Sequence, residues 1–373
     1  MKRQILAAVF AGSLVSVPAP AQQPAGPQQA LDGVDPVVLL QQGKEIIGKP
    51  EFAVTRGAFE YQFASAESKA AFEREPAKYE IRLNGSCARM GPGVTGNPSD
   101  YAVVDGKIYI FGSDDCHKTF VAAPAKFLPR DAPAMPSAAK DLERGRALVD
   151  RAAQALGGAA EVDAVTAYAE TSTQIQKRPT GDVRVITTTT WLFPVRIRSE
   201  RAMTLQGKTN TSTNLLTPEG GWFIGMNDRV YPQNPIAQST SRQEFGRQLL
   251  PLLRTRRDAA FKAADVANAT IDGTPVERVR IQNGVVDVTL GIEPTSGRVH
   301  SLEFTGRNMD AEIGTYTLVF GDYRQVSGLT LPFEVRAFFD GTADSYRSAT
   351  LDAIAINPRV DPALFAPPRA DAK

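Results

Sequence analysis

The chain is poor in the side chains on which much enzyme chemistry depends. Its 373 residues include two histidines and two cysteines. Imidazole is a common general base and metal ligand near neutral pH, so this scarcity leaves little room for a histidine-based active site. The sequence also lacks a Gly-x-Ser-x-Gly elbow, a His-Glu-x-x-His pair and a phosphate-binding loop. We therefore expect a binding protein and not an enzyme.

An excess of one charge sign and long hydrophobic runs are also missing. The 42 Lys and Arg residues nearly balance the 41 Asp and Glu residues, and the formal net charge is +1. A protein that binds nucleic acid usually carries a basic excess, so no such partner is indicated. No stretch of the sequence is long and apolar enough to span a bilayer, so we do not expect an integral membrane protein.

Residues 1–21 have the three-part pattern of a secretory signal peptide. Two basic residues follow the initial Met, residues 5–17 are apolar, and Ala19 and Ala21 form a small-x-small cleavage site. The apolar run is shorter than a membrane span. We expect cleavage near Ala21 and a periplasmic or secreted protein.

The length suits two domains, and proline-rich stretches indicate where they are separated. Residues 22–30 are rich in Pro and Gln and predict a flexible leader. Residues 131–140 are rich in Pro and Ala and predict a linker. These stretches divide the chain into a region at 31–130 and a larger region at 141–368.

The region at 31–130 contains an internal repeat. Residues 48–79 match residues 96–127 at nine positions without a gap. Each copy predicts a strand, a turn, a second strand and a short helix. Ser65 and Ser113 stand where a helix N-cap is expected.

The repeated pattern Tyr-x-Phe-x-Ser, Phe, Pro-x-Lys resembles the YHS domain, a small module related to treble-clef-like metal-binding units. LDGVDPV at residues 31–37 looks like the family's opening segment, and LNGSCARM at residues 83–90 looks like a second copy of it. The resemblance implies two tandem αβ units, at about 31–82 and 83–130.

Metal-binding members of that family carry one Cys in the strand-to-helix turn and another at the helix start. In the first unit these positions are Ala64 and Ser68, so this unit has no soft ligand. In the second unit they are Gly112 and Cys116. The resemblance therefore transfers at most one ligand, Cys116, to this chain.

Cys87 and Cys116 allow three interpretations. In an oxidising compartment a disulfide between them is the default expectation, and it requires no cofactor. The alternative is a Cu or Zn site formed by Cys87, Cys116 and His117, a set that is one ligand short of a closed tetrahedral site. In the third interpretation the two thiols are independent.

The region at 141–368 predicts an antiparallel sheet with a few helices, so the fold class is α+β. An opening helix ends at Gly157, and alternating β-branched segments after it predict about ten strands. One long helix at 241–265 interrupts them, and Pro251 should kink it. The basic run at 254–257 predicts either a solvated helix end or a site for anionic headgroups. The apolar stripe of the opening helix is predicted to be Leu142, Ala147, Leu148, Ala152 and Leu156.

Several turns of this region resemble those of the half-barrel in periplasmic lipoprotein-carrier and lipid-binding proteins. They are the helix end LGG, the hairpin EGGWFIG, the segment DYRQVSGLTLPF and the terminal AINPRVDPALFAPP. The resemblance implies a strongly curved sheet and, by analogy, a lipid-sized cavity. Large apolar side chains either line that cavity or fill a core, and the candidates are Trp191, Phe193, Trp222, Phe223, Leu318 and Phe320.

The sequence thus predicts an exported periplasmic binding protein that holds an apolar ligand, a lipid or an acyl chain, in its C-terminal sheet. The YHS-like region would be an accessory part. The alternative is a periplasmic Cu- or Zn-binding protein that uses the second YHS-like unit.

Overall fold

The computed structural model describes residues 26–92, 94–130, 132–176, 182–225, 227–308, 310–342 and 347–368. The predicted signal peptide and residues 22–25 of the predicted leader lie outside these residues. The leader prediction is wrong at its end, because Gln28–Gln29 pair as a short strand with residues 59–60 and Ala30 is buried. The described chain has an α+β fold, with small sheets in the N-terminal region and one large, curved antiparallel sheet after it. In this part of the chain, no helix is both long and apolar enough to cross a bilayer.

The N-terminal region consists of two similar units. Their strands and helices are β1 (Gln28–Gln29), α1 (Pro36–Gln42), β2 (Lys49–Arg56), β3 (Phe59–Phe63), α2 (Ala66–Arg74), α3 (Pro76–Tyr79), β4 (Asn97–Val104), β5 (Lys107–Phe111) and α4 (Asp114–Ala122). The order β2–β3–α2 recurs as β4–β5–α4, which confirms the predicted order of elements in both units. The assignment to the YHS family stays a prediction.

Both units open with the same unusual turn. Leu31 and Asp32 have φ values of 55° and 51°, and Leu83 and Asn84 have 56° and 49°. A leucine rarely adopts this left-handed conformation, because its Cβ crowds the backbone. The recurrence of the turn at equivalent positions shows that the repeat is structural as well as sequential.

The predicted helix caps are also confirmed. The hydroxyls of Ser65 and Ser113 accept a hydrogen bond from the third backbone N–H of α2 and α4, each at 3.3 Å. On the next turn, Phe72 and Phe120 are fully buried. Each short helix therefore enters its unit at a fixed point and presents one aromatic ring to the core.

The C-terminal region is larger and mostly β-stranded. Its helices are α5 (Ala139–Ala155), α6 (Ala159–Asp163), α7 (Pro235–Gly246) and α8 (Leu249–Arg254). Its strands are β6 (Ala167–Gln176), β7 (Val183–Leu192), β8 (Arg196–Leu205), β9 (Lys208–Thr217), β10 (Gly220–Ile224), β11 (Val230–Pro232), β12 (Lys262–Ile271), β13 (Thr274–Asn283), β14 (Val286–Ile292), β15 (Val299–Arg307), β16 (Ile313–Val326), β17 (Leu329–Phe339) and β18 (Arg347–Ile356).

These thirteen strands form one sheet made of two meanders. The first meander starts with β6 in the middle of the sheet and ends with β11 at one edge. The second starts with β12 at the opposite edge and ends with β18, which pairs with β6 in the middle. The segment with α7 and α8 connects β11 to β12, which are the two edge strands. We call the face that packs against α5, α7 and α8 the inner face.

Helix α5 lies close to the edge of the inner face. A Cβ at Gly145 would be 2.6 Å from the backbone of Ala264 in β12, so only glycine permits this approach. Leu148 and Ala152 are buried as predicted, whereas Leu142 is exposed. The predicted stripe is therefore wrong at Leu142 and at Ala147, which is also exposed, because the contact with β12 turns Gly145 toward the sheet instead.

The long helix predicted at 241–265 is wrong. The structure has two helices with a break at Arg247 and Gln248, and the last predicted residues form the start of β12. Pro251 lies in the first turn of α8, where a missing N–H breaks no helical hydrogen bond, and the break comes before it. The Ala- and Lys-rich start of β12 favours helix locally, but pairing with β13 overrides that preference.

The basic run at 254–257 is not simply a solvated helix end. The side chain of Arg256 is 2% exposed and its Nη1 lies 2.6 Å from a carboxylate oxygen of Asp163 in α6. Arg257 pairs with the other oxygen of Asp163 at 3.0 Å but is 72% exposed. Arg254 donates to the carbonyl oxygen of Val165 at 3.0 Å. The run therefore fastens the end of α8 to α6.

The predicted linker is also held in place. The carbonyl oxygen of Pro133 accepts a hydrogen bond from Arg280 of β13 at 2.6 Å, and α5 begins at Ala139, inside the predicted linker. Arg280 is in turn paired with Asp287 at 2.7 Å. The segment between the two regions thus runs along the sheet.

The second N-terminal unit contacts the large sheet through Arg307 at the end of β15. The guanidinium of Arg307 donates to the carbonyl oxygens of Arg89 at 2.8 Å and of Phe127 at 3.1 Å. Lys126 adds an ion pair with Glu312 at 2.8 Å. These bonds fix the side of the unit that carries Cys87 and Cys116.

We predict that Arg256→Gln lowers the free energy of unfolding by about 3 kcal/mol, because it leaves the Asp163 carboxylate without its buried partner. The matched variant Arg257→Gln removes the exposed partner of the same carboxylate and should cost less than about 1 kcal/mol. Urea denaturation followed by tryptophan fluorescence measures both. Equal effects would mean that burial of Arg256 contributes nothing.

Candidate functional site

The inner face of the sheet contains a cavity of about 160 Å³. It lies between the first turn of α8 and the middle of the sheet, at β6, β16, β17 and β18. Most of its wall is apolar. The main apolar contributors are Leu249, Leu250 and Pro251 from α8 and Phe320, Leu331 and Val335 from the sheet.

The position of this cavity follows from how the sheet is assembled. Residues two apart on a strand share a face. The cross-strand pairs Ile356–Tyr168 and Ile354–Glu170 place inner-face residues of β18 beside inner-face residues of β6. The wall therefore combines residues from both meanders. Neither meander alone could form it.

One carboxyl group lies in this wall. Glu170 is partly buried, and its Oε2 accepts a hydrogen bond from the hydroxyl of Tyr168 at 2.5 Å. Burial raises the pKa of Glu170 above its ordinary value, and the bond from Tyr168 opposes this in part. Burial, together with the neighbouring Glu170, also raises the pKa of Tyr168 well above its ordinary value. The site thus favours the uncharged form of the acid.

The inner face of β7 to β9 has a polar part. Thr189 and Ser199 form a buried hydrogen bond of 2.9 Å there, and the amide of Gln233 donates to Asn214 at 3.3 Å. The neighbouring pair Trp191–Ile197 on the same face is apolar and packs in the core, to which β14 to β17 also contribute. Both polar and apolar side chains are therefore available on this face.

Of the six predicted pocket residues, one lies in the wall of this cavity and the others lie elsewhere. Phe320 is in its wall. Trp191 is 3% exposed and packs on Tyr168 at 4.9 Å between ring centroids, and Leu318 packs against the same core. Phe193 follows the end of β7 and packs against the core as well.

Trp222 and Phe223 cannot line one pocket together. They are consecutive residues of β10, so their side chains point to opposite faces of the sheet. The pair Asn214–Phe223 places Phe223 on the inner face, beside Tyr231 at 6.4 Å. Trp222 lies on the outer face. A ligand role for any of these residues stays a prediction.

Tyr168, Glu170 and the first turn of α8 were not among the predicted site residues. The segment AYAETSTQIQ alternates, and its alternation places Tyr168, Glu170 and Ser172 on one face. The sequence alone thus shows that these three residues share a face. It does not show that this face is the inner one, because that depends on the pairing of β6 with β18, strands from opposite ends of the region.

A second, more open groove lies where the inter-region segment meets α5. It has a volume of about 520 Å³ and is lined by Met135, Pro136, Leu142, Arg146 and Phe261, among others. The guanidinium of Arg146 lies over the ring of Phe261 at 5.5 Å. The exposed Leu142 of α5 is part of the wall of this groove.

The two cysteines lie together inside the second N-terminal unit. Cys87 is fully buried and Cys116 is 7% exposed, and both are free thiols in the structure. The predicted disulfide is thus not formed there and stays a prediction. The thiols are close enough for the charge of one to affect the other.

His117 does not join the two cysteines. Its Nδ1 lies 2.5 Å from a carboxylate oxygen of Asp100, and its ring stacks on Phe111 at 4.5 Å between centroids. Across the ranges that the structure describes, no cluster of three or more His, Cys, Asp or Glu residues could hold a metal ion. The geometry therefore gives no support to a Cu or Zn site made of Cys87, Cys116 and His117.

No protein-family model matches the sequence, and a search of curated proteins finds no match either. Among solved structures, the chain is similar to a putative outer membrane lipoprotein-sorting protein domain from Vibrio parahaemolyticus (12% identity, TM-score 0.41, 61% of this chain and 97% of that one).

Two further structures are similar. One is a DUF1329 family protein from Desulfovibrio piger (11% identity, TM-score 0.42, 60% of this chain and 97% of that one). The other is a LolA superfamily protein from Nitrosomonas europaea (9% identity, TM-score 0.40, 60% and 97%). The matches cover the C-terminal region, and at these scores they carry no argument about function.

The raised pKa of Glu170 predicts how stability depends on pH. Since the native state holds this proton more tightly than the unfolded chain, stability should fall as the pH rises from the ordinary glutamate pKa to the raised native one. Glu170→Gln keeps the shape and the bond from Tyr168 but cannot ionise. Relative to the wild type, it should therefore gain stability between pH 4 and pH 8.

Urea denaturation of both proteins at the two pH values measures this gain. Glu334→Gln is the control, because Glu334 is exposed on β17. If Glu334→Gln gains as much as Glu170→Gln, or if neither variant gains, the cavity wall does not hold an uncharged acid.

Proposed function

We propose that this is an exported, periplasmic binding protein that holds an apolar ligand, a lipid or an acyl chain, against the inner face of its C-terminal sheet. The observation that carries the proposal is the apolar cavity under the first turn of α8. It is concave, mostly apolar and has a few polar groups at one side, which are the usual features of a small-molecule site.

The size of the cavity limits which part of a ligand it can hold. A closed space of about 150 Å³ accepts a molecule as large as benzene. The cavity of about 160 Å³ therefore holds the end of a hydrocarbon chain and not a whole lipid. We infer that the rest of the ligand extends along the inner face toward β7 to β9, where the polar side chains of Ser199 and Asn214 can contact its polar part.

The attachment of α8 is consistent with such entry. Its C-terminal end is fixed by Arg254 and Arg256, whereas its first turn follows the exposed Gln248 and has no side-chain cap. A six-residue helix has little stability of its own. Displacement of the first turn would widen the cavity without breaking the Arg256–Asp163 pair.

Glu170 narrows the class of ligand. A ligand carboxylate placed beside it would lose its hydration in the apolar wall and would be repelled whenever Glu170 is ionised, so a free fatty acid is disfavoured at this end of the site. A neutral chain with a hydroxyl or amide group can donate to Glu170 or accept from its protonated form. We therefore expect uncharged amphiphiles to bind better than fatty acids of equal chain length.

The proposed site is tested by filling it. Ala349 lies in the cavity wall on β18, and Ala355 on the same strand is exposed on the outer face. Ala349→Phe should raise the dissociation constant for the neutral fluorescent probe N-phenylnaphthylamine at least about tenfold, since it removes the contact area of one chain end. Ala355→Phe should leave the dissociation constant unchanged.

Fluorescence titration of the wild type and the two variants with the probe measures these dissociation constants. Circular dichroism checks that both variants are folded. Displacement by monoolein and by oleate then separates neutral from anionic ligands. Equal binding by Ala349→Phe and the wild type would place the ligand elsewhere. Absence of probe binding to the wild type would remove the proposal.

A further inference from the structure

One row of residues crosses the inner face from the cavity wall to an edge of the sheet. Each member lies directly opposite the next on the neighbouring strand, and the row consists of Glu170, Thr189, Ser199, Asn214, Phe223 and Tyr231. Strands in a sheet lie about 4.8 Å apart, so the row is about 24 Å long. It begins in the cavity wall at β6 and ends on the edge strand β11 with two aromatic residues.

The two aromatic rings at this end form one surface. The ring centroids of Phe223 and Tyr231 are 6.4 Å apart, the ring planes differ by 28°, and both residues are half-buried. The residues two positions before and after Phe223 are Gly221 and Gly225. A Cβ at Gly225 would lie 3.3 Å from the Tyr231 ring and 3.7 Å from the Phe223 ring, so any side chain there would lie against both rings. Glycine leaves that side of the rings uncovered.

Two amide side chains lie beside the rings. Nε2 of Gln233 donates to Oδ1 of Asn214 at 3.3 Å, and Oε1 of Gln233 accepts from the hydroxyl of Ser241 in α7 at 3.3 Å, so both ends of the Gln233 amide are fixed. A Cβ at Gly221 would be 2.5 Å from that Oε1, so glycine also makes room for the amide. Across the residues that the structure describes, no group accepts a hydrogen bond from the amide nitrogen of Asn214. This donor is therefore available to a ligand.

This end of the row is uncharged and has both apolar and polar groups. From Thr189 to Tyr231 the row has no charged side chain, and the cation Arg201 lies in the next row, opposite Ser212. A hydrocarbon chain would cover the rings but would remove water from the amides without replacing its hydrogen bonds. An anionic group would meet no cation in the row. Neither a lipid chain nor a phosphate therefore matches these side chains.

A pyranose ring matches both the aromatic and the amide groups. The C–H bonds on one face of a pyranose carry a small positive charge and pack against the negative face of an aromatic ring. Its hydroxyl groups both donate and accept hydrogen bonds, as the two amides do. Half-buried aromatic rings beside fixed amides are therefore suited to an uncharged sugar.

We propose that Phe223, Tyr231, Asn214 and Gln233 form a binding subsite for an uncharged sugar ring. The sugar lies on the surface made by the two aromatic rings, and its hydroxyl groups bond to the two amides. It is either a free saccharide or the headgroup of a glycolipid. The inference goes beyond the apolar ligand of the cavity and does not require it, because Phe223 is four strands away from Glu170.

Saturation-transfer NMR of the full chain with the methyl glycosides of glucose, galactose, mannose and N-acetylglucosamine tests the subsite. We expect saturable binding of at least one of them. Phe223→Leu keeps an apolar side chain but removes the aromatic face, and should weaken that binding about fivefold, whereas Phe223→Tyr should preserve it. Trp222→Leu makes the same kind of change on the outer face of the same strand and should have no effect. Circular dichroism checks that the variants are folded.

The dodecyl and methyl glycosides of the sugar that binds then distinguish its two sources, below the critical micelle concentration. A chain that tightens binding, by an amount that Ala349→Phe removes, indicates a glycolipid headgroup, and a chain without effect indicates a free saccharide. The apolar site is measured separately, because Phe223→Leu should not change the dissociation constant for N-phenylnaphthylamine.

The proposal is overturned if no glycoside binds, or if Trp222→Leu weakens binding as much as Phe223→Leu does. A dimer of the chain that Phe223→Leu dissociates would make this face a protein interface and would overturn the proposal as well.

Discussion

The buried ion pair between Arg256 and Asp163 holds the arrangement of the C-terminal region in place. The segment that connects the two edge strands has to cross the whole inner face, and its second helix, α8, has six residues. Such a helix is not stable by itself. The guanidinium of Arg256 binds Asp163 and the carbonyl oxygen of Ala159 at 3.1 Å, and so fixes α8 to α6. The cavity exists because α8 is kept above the sheet.

The same constraint explains where the region can bind something. One end of α8 is fixed by Arg254 and Arg256, and the other follows a helix break and borders the cavity. Glu170 lies on the sheet side of that cavity. A carboxyl group in this position is a cost to folding, because burial disfavours its charged form.

Much of the fold could be predicted from local patterns. The alternation in residues 183–192 and the serines at 65 and 113 gave correct strands and caps, because each is decided by neighbours in sequence. The start of β12 and the burial of Arg256 could not be predicted in this way. Both depend on contacts with distant segments, β13 in one case and α6 in the other. The site was missed for the same reason, since the inner face of β6 is defined by its pairing with β18.

That pairing also has a consequence for how the chain folds. The seam between β6 and β18 joins the first and the last strand of the region, so it closes last when the chain emerges from its N-terminal end. Until then β6 is an open sheet edge, which is the kind of surface that promotes aggregation. Its inner positions after Tyr168 are Glu170, Ser172 and Gln174. These polar side chains make β6 a poor partner for the strands of other chains until β18 pairs with it.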